Sequence, residues 1–250
     1  MNRRTAASAA VLGLVLTGCA TDDGTSGPEI TVFAAASLQH TFTEIGKIYE
    51  RENPGSRIGF SFAGSSDLAA QLNQGAPANV YASADAANMA KVVEAGLVDG
   101  SPVDFAANTL TIVVAPGNPK GVGSLADLNR EGTLVVTCAP QVPCGAATRR
   151  VETAAGVGLS PVSEESSVTD VLNKVTSGQA DAGLVYVTDA AGAGDEVTAV
   201  SFPESEDAVN NYPIAVLSNS GNREAARRFV DLVTGSEGRA VLADAGFVTP

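Results

Sequence analysis

Tryptophan is absent from this 250-residue chain, aromatic residues make up only 5% of it, and His40 is its single histidine. With so few rings, the alanines, valines and glycines must build the interior. That suits an α/β fold in which short helices pack closely on sheets. One histidine also leaves little acid–base chemistry, because Ser–His and Cys–His catalysis needs an imidazole beside the nucleophile. His40 falls one turn into a predicted helix, facing solvent. A glycine-rich nucleotide fingerprint, a Walker sequence and a cluster spaced for metal ligation are all missing. Gly64-Ser65-Ser66-Asp67 is not the G-x-S-x-G nucleophile elbow. Positive charge is scarce as well: 15 basic residues face 28 acidic ones, a formal net charge of −13. Long-range repulsion therefore argues against nucleic acid and anionic membrane surfaces as partners.

Long apolar runs are lacking too. Ala6 to Leu16 is too short to span a bilayer, and with Asn2-Arg3-Arg4 before it and small residues after it the segment reads as a signal. Leu16-Thr17-Gly18-Cys19 looks like a lipobox, so residues 1–19 are expected to be a lipoprotein signal ending at a lipidated Cys19. An ordinary secretory signal is the alternative. Residues 20–29, rich in Asp, Gly, Ser and Thr, then form a flexible tether. Cys138 and Cys144 remain. In an exported protein an even pair close in sequence suggests a disulfide, with metal ligation or two free thiols as the other readings.

What is present is a recurring junction. Ile30 to Phe33 is β-branched and aromatic, as a covered strand should be, and Leu38, Phe42, Ile45 and Tyr49 follow at helical spacing. Ser37 stands at the change of period, at or beside an N-cap. Arg57–Ala63 followed by Gly64-Ser65 repeats the pattern. Leu134–Thr137 does so before a helix rising from Ala146, and Ser166-Ser167 precede the helix of Val168, Val171, Leu172 and Val175. Each serine alone is an ordinary cap. Four helix starts together could converge on one tetrahedral oxyanion, offering amides and hydroxyls without formal positive charge. In open α/β sheets, ligands bind at the carboxyl ends of strands.

Five segments then resemble the molybdate-binding proteins of bacterial ABC importers. They are Thr31–Leu38 (TVFAAASL), Phe62–Ala69 (FAGSSDLA), Pro77–Asp85 (PANVYASAD), Val142–Gly145 (VPCG) and Gly183–Ala190 (GLVYVTDA). Their order and spacing cover most of the chain from Ile30 to Pro250. The resemblance implies a two-domain, type II periplasmic-binding-protein fold, with largely parallel sheets and a two-strand hinge near Asn108–Val114 and Asn211–Val216. The discontinuous first domain would comprise 30–110 and 214–250, the second 111–213. Carried over residue by residue, Ser37 and Ser65 would give hydroxyl and amide donors. Cys144 and Val168 would give backbone amides, and Tyr186 a phenolic hydroxyl. Molybdate, with tungstate as a second ligand, would be bound as an oxyanion without direct metal ligands, without cofactor and without catalysis, by a lipid-anchored extracytoplasmic monomer serving an ABC permease. Two departures stand out. Cys144 replaces an alanine common in the family, and Gly64 replaces a small polar residue, which would loosen the turn before Ser65. The alternatives are a binder of sulfate, phosphate or an organic anion, the last kept open by Arg149, and a secreted serine hydrolase using Ser65.

Overall fold

The computed structural model describes residues 29–250. The expected signal, Cys19 and nearly all of the tether lie outside the described residues. Strands and helices alternate through the chain and sort into two five-stranded sheets.

The first sheet opens with β1 (Glu29–Ala35), β2 (Arg57–Ala63) and β3 (Val80–Ala82). Pairing is parallel on both flanks of β1, with Ala34 opposite Phe62 on one side and Ala82 on the other. Helix α1 (Gln39–Glu52) buries Phe42, Ile45 and Tyr49, as expected from their spacing, and Ile48 beside them. Helices α2 (Ser65–Asn73) and α3 (Ala86–Glu94) follow β2 and β3. Asp85 caps α3 by accepting the amide of Asn88 at 2.8 Å, which satisfies one of the free donors of the first turn. An unexpected strand, β4 (Val103–Asn108), forms the sheet edge.

The chain crosses at Asn108 and Thr109 into the second sheet, where β5 (Leu110–Val114), β6 (Val135–Cys138), β7 (Ser163–Glu165), β8 (Ala182–Tyr186) and β9 (Thr198–Val200) lie in the order β7-β6-β8-β5-β9. Between them run α4 (Pro143–Ala155), α5 (Val168–Thr176) and α6 (Val187–Ala193). Helix α4 starts at Pro143, three residues before the expected Ala146, because proline is already set for a first helical turn and has no amide to leave unpaired. A Cβ at Gly183 would sit 2.7 Å from Val171 Cγ1, so glycine at this point of β8 lets α5 lie close on the sheet.

The return crossing joins β10 (Asn210–Val216), which completes the first sheet antiparallel between β3 and β4. Asn210 to Pro213 thus pair in the first sheet, ahead of the expected limit at 214. Pro213 cannot donate to the ladder, and the pairing with β4 shifts register between Tyr212 and Pro213. Helices α7 (Arg223–Thr234) and α8 (Ser236–Asp244) close the chain, divided at Gly235 where one terminal helical region was expected. Each sheet therefore has a single antiparallel strand, β10 in one and β5 in the other, and both are reached directly from the crossings. The two lobes meet along the carboxyl ends of their parallel strands.

Candidate functional site

A small, tight cavity lies where the lobes meet. Ala35, Ala36, Gly64, Ser65 and Ala84 line it from the first lobe, and Val142, Pro143, Cys144, Val168 and Tyr186 from the second. Four of the five residues singled out from the sequence, Ser65, Cys144, Val168 and Tyr186, thus share one small space. Ser37 does not line it. Ser37 sits in a 3₁₀ turn, Ala36–Leu38, between β1 and α1, and its hydroxyl lies 3.0 Å from the hydroxyl of Tyr212. It borders instead a wide open groove beside the cavity, between α1 and helices α5 and α6. It is next to a cap rather than a capping residue, since no side-chain bond caps that turn.

Three helices begin at the cavity. Ser65 is the first residue of α2, after Gly64 as N-cap. Its Oγ accepts the amide of Ala84 at 3.0 Å, and its carbonyl accepts the Tyr81 hydroxyl at 2.9 Å. Cys144 follows Pro143 in the first turn of α4, and Val168 starts α5 after Ser167, whose Oγ accepts the Asp170 amide at 3.2 Å. Helical geometry gives the first amides of each helix no intrahelical acceptor, and the three aligned dipoles place partial positive charge at one spot. Tyr186 is the N-cap of α6. Its own amide donates to Asp189 Oδ2 at 3.1 Å, so β8 ends with the phenol turned to the cavity.

The loop before α4 is bound tightly. Cys138 and Cys144 are joined by a disulfide with Cα atoms 5.6 Å apart, bracketing the Ala139 turn. A Cβ at Gly145 would fall 2.0 Å from the carbonyl oxygen of Ala139, so only glycine lets this loop fold onto the helix start. Gly64 has an equally tight neighbour in the other lobe: a Cβ there would fall 2.1 Å from the Ser166 carbonyl oxygen. Its φ of −58° is open to any residue. Glycine is required here by the close approach of the lobes, which corrects the expectation of a loosened turn.

Among the described residues, no formally charged side chain lines the cavity. Burial pushes the phenols of Tyr186 and Tyr212 well above their usual range, so both stay neutral donors. Asp189, partly exposed behind Tyr186, is raised to about 7, chiefly by desolvation and against the pull of the Tyr186 amide. Ser65 has no base: its hydroxyl is held by a backbone amide, and exposed His40 borders the wide groove instead. Arg149 is also elsewhere, half exposed and paired with Glu152 and Glu164, which removes the feature that kept an organic anion open. No group of three or more potential metal ligands occurs among the described residues. Sequence reasoning missed Asn210 and Tyr212. They alternate on β10 with exposed Asn211 between them, facing the site, and only their position in the first sheet reveals it.

Residues 30–248 match the family described as bacterial extracellular solute-binding protein. Molybdate-binding protein ModA of Mycobacterium tuberculosis is 54% identical over 248 residues, 96% of this chain and 94% of that protein. Molybdate-binding protein ModA of Escherichia coli is 30% identical over 229 residues, 88% of each. Among solved structures, the periplasmic molybdate-binding protein of Azotobacter vinelandii superposes with a TM-score of 0.77 at 22% identity, over 88% of this chain and 99% of that one. The sulfate-binding protein SubI of Mycobacterium tuberculosis gives 0.74 at 23% identity, over 89% and 87%. At such identities the last two likenesses concern the fold alone.

Proposed function

Because this chain belongs to the bacterial extracellular solute-binding proteins, not to an enzyme family, we propose that it captures molybdate and presents it to an ABC importer. The observation that carries the reading is the make-up of the cavity: three helix starts, a serine and a phenol, with no charged side chain lining it among the described residues. Such a lining stabilises a fully deprotonated dianion through short hydrogen bonds and helix dipoles. Ser65 and Tyr186 would give hydroxyl donors, and Ser65, Cys144 and Val168 backbone amides. Ser37, one residue beyond cavity-lining Ala36, would join them once its hydroxyl turns from Tyr212.

Neutral donors also set the selectivity. Hydrogen phosphate carries a donor of its own, which would face other donors and stay unpaired, at about 1–3 kcal/mol. Sulfate has the charge but shorter bonds to oxygen, so in a closed space of fixed size it reaches fewer partners. Tungstate, nearly the size of molybdate, is expected to bind about as well. The lobes, 29–109 with 210–250 and 110–209, would part and close about the two crossings. A lipid on Cys19 would hold the monomeric domain at the outer face of the membrane near its permease. Competition calorimetry at neutral pH with molybdate, tungstate, sulfate and phosphate tests this. Molybdate and tungstate are expected to bind alike and far tighter than the others; sulfate as tight as molybdate would overturn the ligand. For the anchor, Cys19→Ser should release the protein from membranes, and retention at the original level would exclude lipidation there.

A further inference from the structure

We propose that Asn210 is the positioning residue for the cavity's phenol: by donating to the Tyr186 oxygen, it leaves the phenolic proton free to be given to the ligand. The inference rests on the reading of Tyr186 as a ligand donor.

Asn210 opens β10 and is 2% exposed. Its neighbours fix which way its amide faces. Nδ2 lies 2.9 Å from the carbonyl oxygen of Ala84 and 3.3 Å from that of Pro143, groups that can only accept. Oδ1 receives Nη2 of Arg150, a group that can only donate. Turning the amide over would set oxygen against two carbonyls and nitrogen against a guanidinium. Nδ2 is also 2.7 Å from the Tyr186 hydroxyl, where an amide nitrogen must be the donor; its two N–H groups serve Ala84 and Tyr186, and the longer Pro143 contact shares one of them. A phenol has one proton, and with its oxygen accepting from Asn210 that proton is left free for the cavity the residue lines.

The other cavity hydroxyl is handled the same way. The Ala84 amide donates to Ser65 Oγ at 3.0 Å, again leaving the hydroxyl proton for the cavity. Ala84 is the shared link, its N–H serving Ser65 and its carbonyl receiving Asn210. One chain of oriented bonds therefore runs from Ser65 in the first lobe to Tyr186 in the second. Each hydroxyl already accepts one bond from the protein and keeps its proton for the ligand, so the lining is biased towards donors and disfavours an anion that carries a proton. Asn210 is thus a specificity-determining residue that need not touch the ligand.

The test is calorimetry with molybdate on the full chain, for the unaltered protein, Asn210→Ala, Tyr186→Phe and the double variant. Asn210→Ala is expected to weaken molybdate about tenfold, the scale of one hydrogen bond to a charged group. Because Asn210 also ties Ala84 to Pro143 across the lobes, its loss could act through closure alone. The double variant separates the two. In the Tyr186→Phe background, removing Asn210 should cost less than about threefold, because there is no phenol left to orient. A tenfold loss in both backgrounds would overturn the inference and leave the ligand reading intact. Failure of the unaltered protein to bind molybdate would overturn that reading instead. Thermal melts of the unliganded variants check folding. If Asn210→Ala does not fold, Arg150→Met, at an exposed position, removes the donor that holds Oδ1, loosens the amide without turning it over, and takes its place in the cycle. Its loss is expected at about threefold, and again only when Tyr186 is present. An equal loss in the Tyr186→Phe background would count against the inference.

Discussion

The two lobes share one strand plan and differ in what fills it. In each, three parallel strands are followed by an antiparallel one and an edge. The first lobe holds nearly all of the rings. Phe42 meets Phe60, Phe105 and Phe229 with centroids 5.7 to 6.4 Å apart, Tyr49 meets Phe229, and Tyr212 meets Phe105 and Phe247. Residues 110–209 contain only Tyr186 and Phe202, and Tyr186 faces the cavity. Valine, alanine and leucine do the packing there, with Val113, Val151, Val171, Leu184 and Val185 fully buried. Large rings interlock a core at high energy per residue, whereas small branched side chains let helices lie close to a sheet. The second lobe supplies two of the three helix starts at the cavity, so thin packing there serves the site. Its disulfide compensates for part of what the missing rings would contribute.

The largest effect should come from the ring cluster. Phe42→Ala is expected to cost about 3–5 kcal/mol, and Val171→Ala in the second lobe roughly 2 kcal/mol. Urea unfolding followed by circular dichroism would measure both, and equal losses would break the contrast. Reduction of the Cys138–Cys144 disulfide comes next, expected to cost about 2–3 kcal/mol for so short a loop. Hydrogen exchange should place that loss in the second lobe and leave the amides of β1 unaffected. Thiol counting on denatured, unreduced protein should find neither cysteine free.

At the site, Ser65→Ala is expected to weaken molybdate by about 2 kcal/mol, as for a hydrogen bond to a charged group. Ser37→Ala should cost less, since its hydroxyl must first leave Tyr212. Calorimetry ranks the two, and the reverse order would make α1 rather than α2 the main donor of the first lobe. The smallest effect is one of pH. The Asp189 carboxyl is raised from its ordinary value of 3.8 to about 7 in the folded protein. The native state then holds more protons than the unfolded chain across that range. This contribution to stability is fully present below about pH 4 and is lost as pH rises through about 7. Asp189→Asn, whose oxygen can still accept the Tyr186 amide, should flatten thermal stability over that window. An unchanged slope would show that the carboxyl titrates normally.

The strand–helix junctions were legible in the sequence because each carries two signals at once, a change from β-branched to helical period and a small polar residue at the change. They gave the α/β class, and with the five segments they gave Ser65, Cys144, Val168 and Tyr186. What escaped had no local signal. The edge strand β4 is the short run VDFAAN, and β7 is Ser163-Glu164-Glu165, a polar stretch that only its parallel pairing with β6 makes a strand. Helix α6 was hidden because Val187 continues the apolar run of β8. Asn210 looks like a turn residue. Its four partners come from segments 24 to 126 positions away, distances over which no periodicity carries information.

For lobes that move as proposed, the absent methyl group at residue 64 would set a mechanical end-stop. Gly64 lies against the Ser166 carbonyl, backbone against backbone, with no side chain of its own between them to yield, and lobes that part and shut would meet there. Such a stop does not adapt to what is caught. An ion of the intended diameter would fill the space at the moment of contact. A smaller one would rattle short of its donors, and a larger one would hold the jaws ajar, leaving a silhouette that a membrane receptor could tell from the shut one. Size discrimination would then reside in a hard limit of travel, and one carbon atom added at that point would act as a wedge.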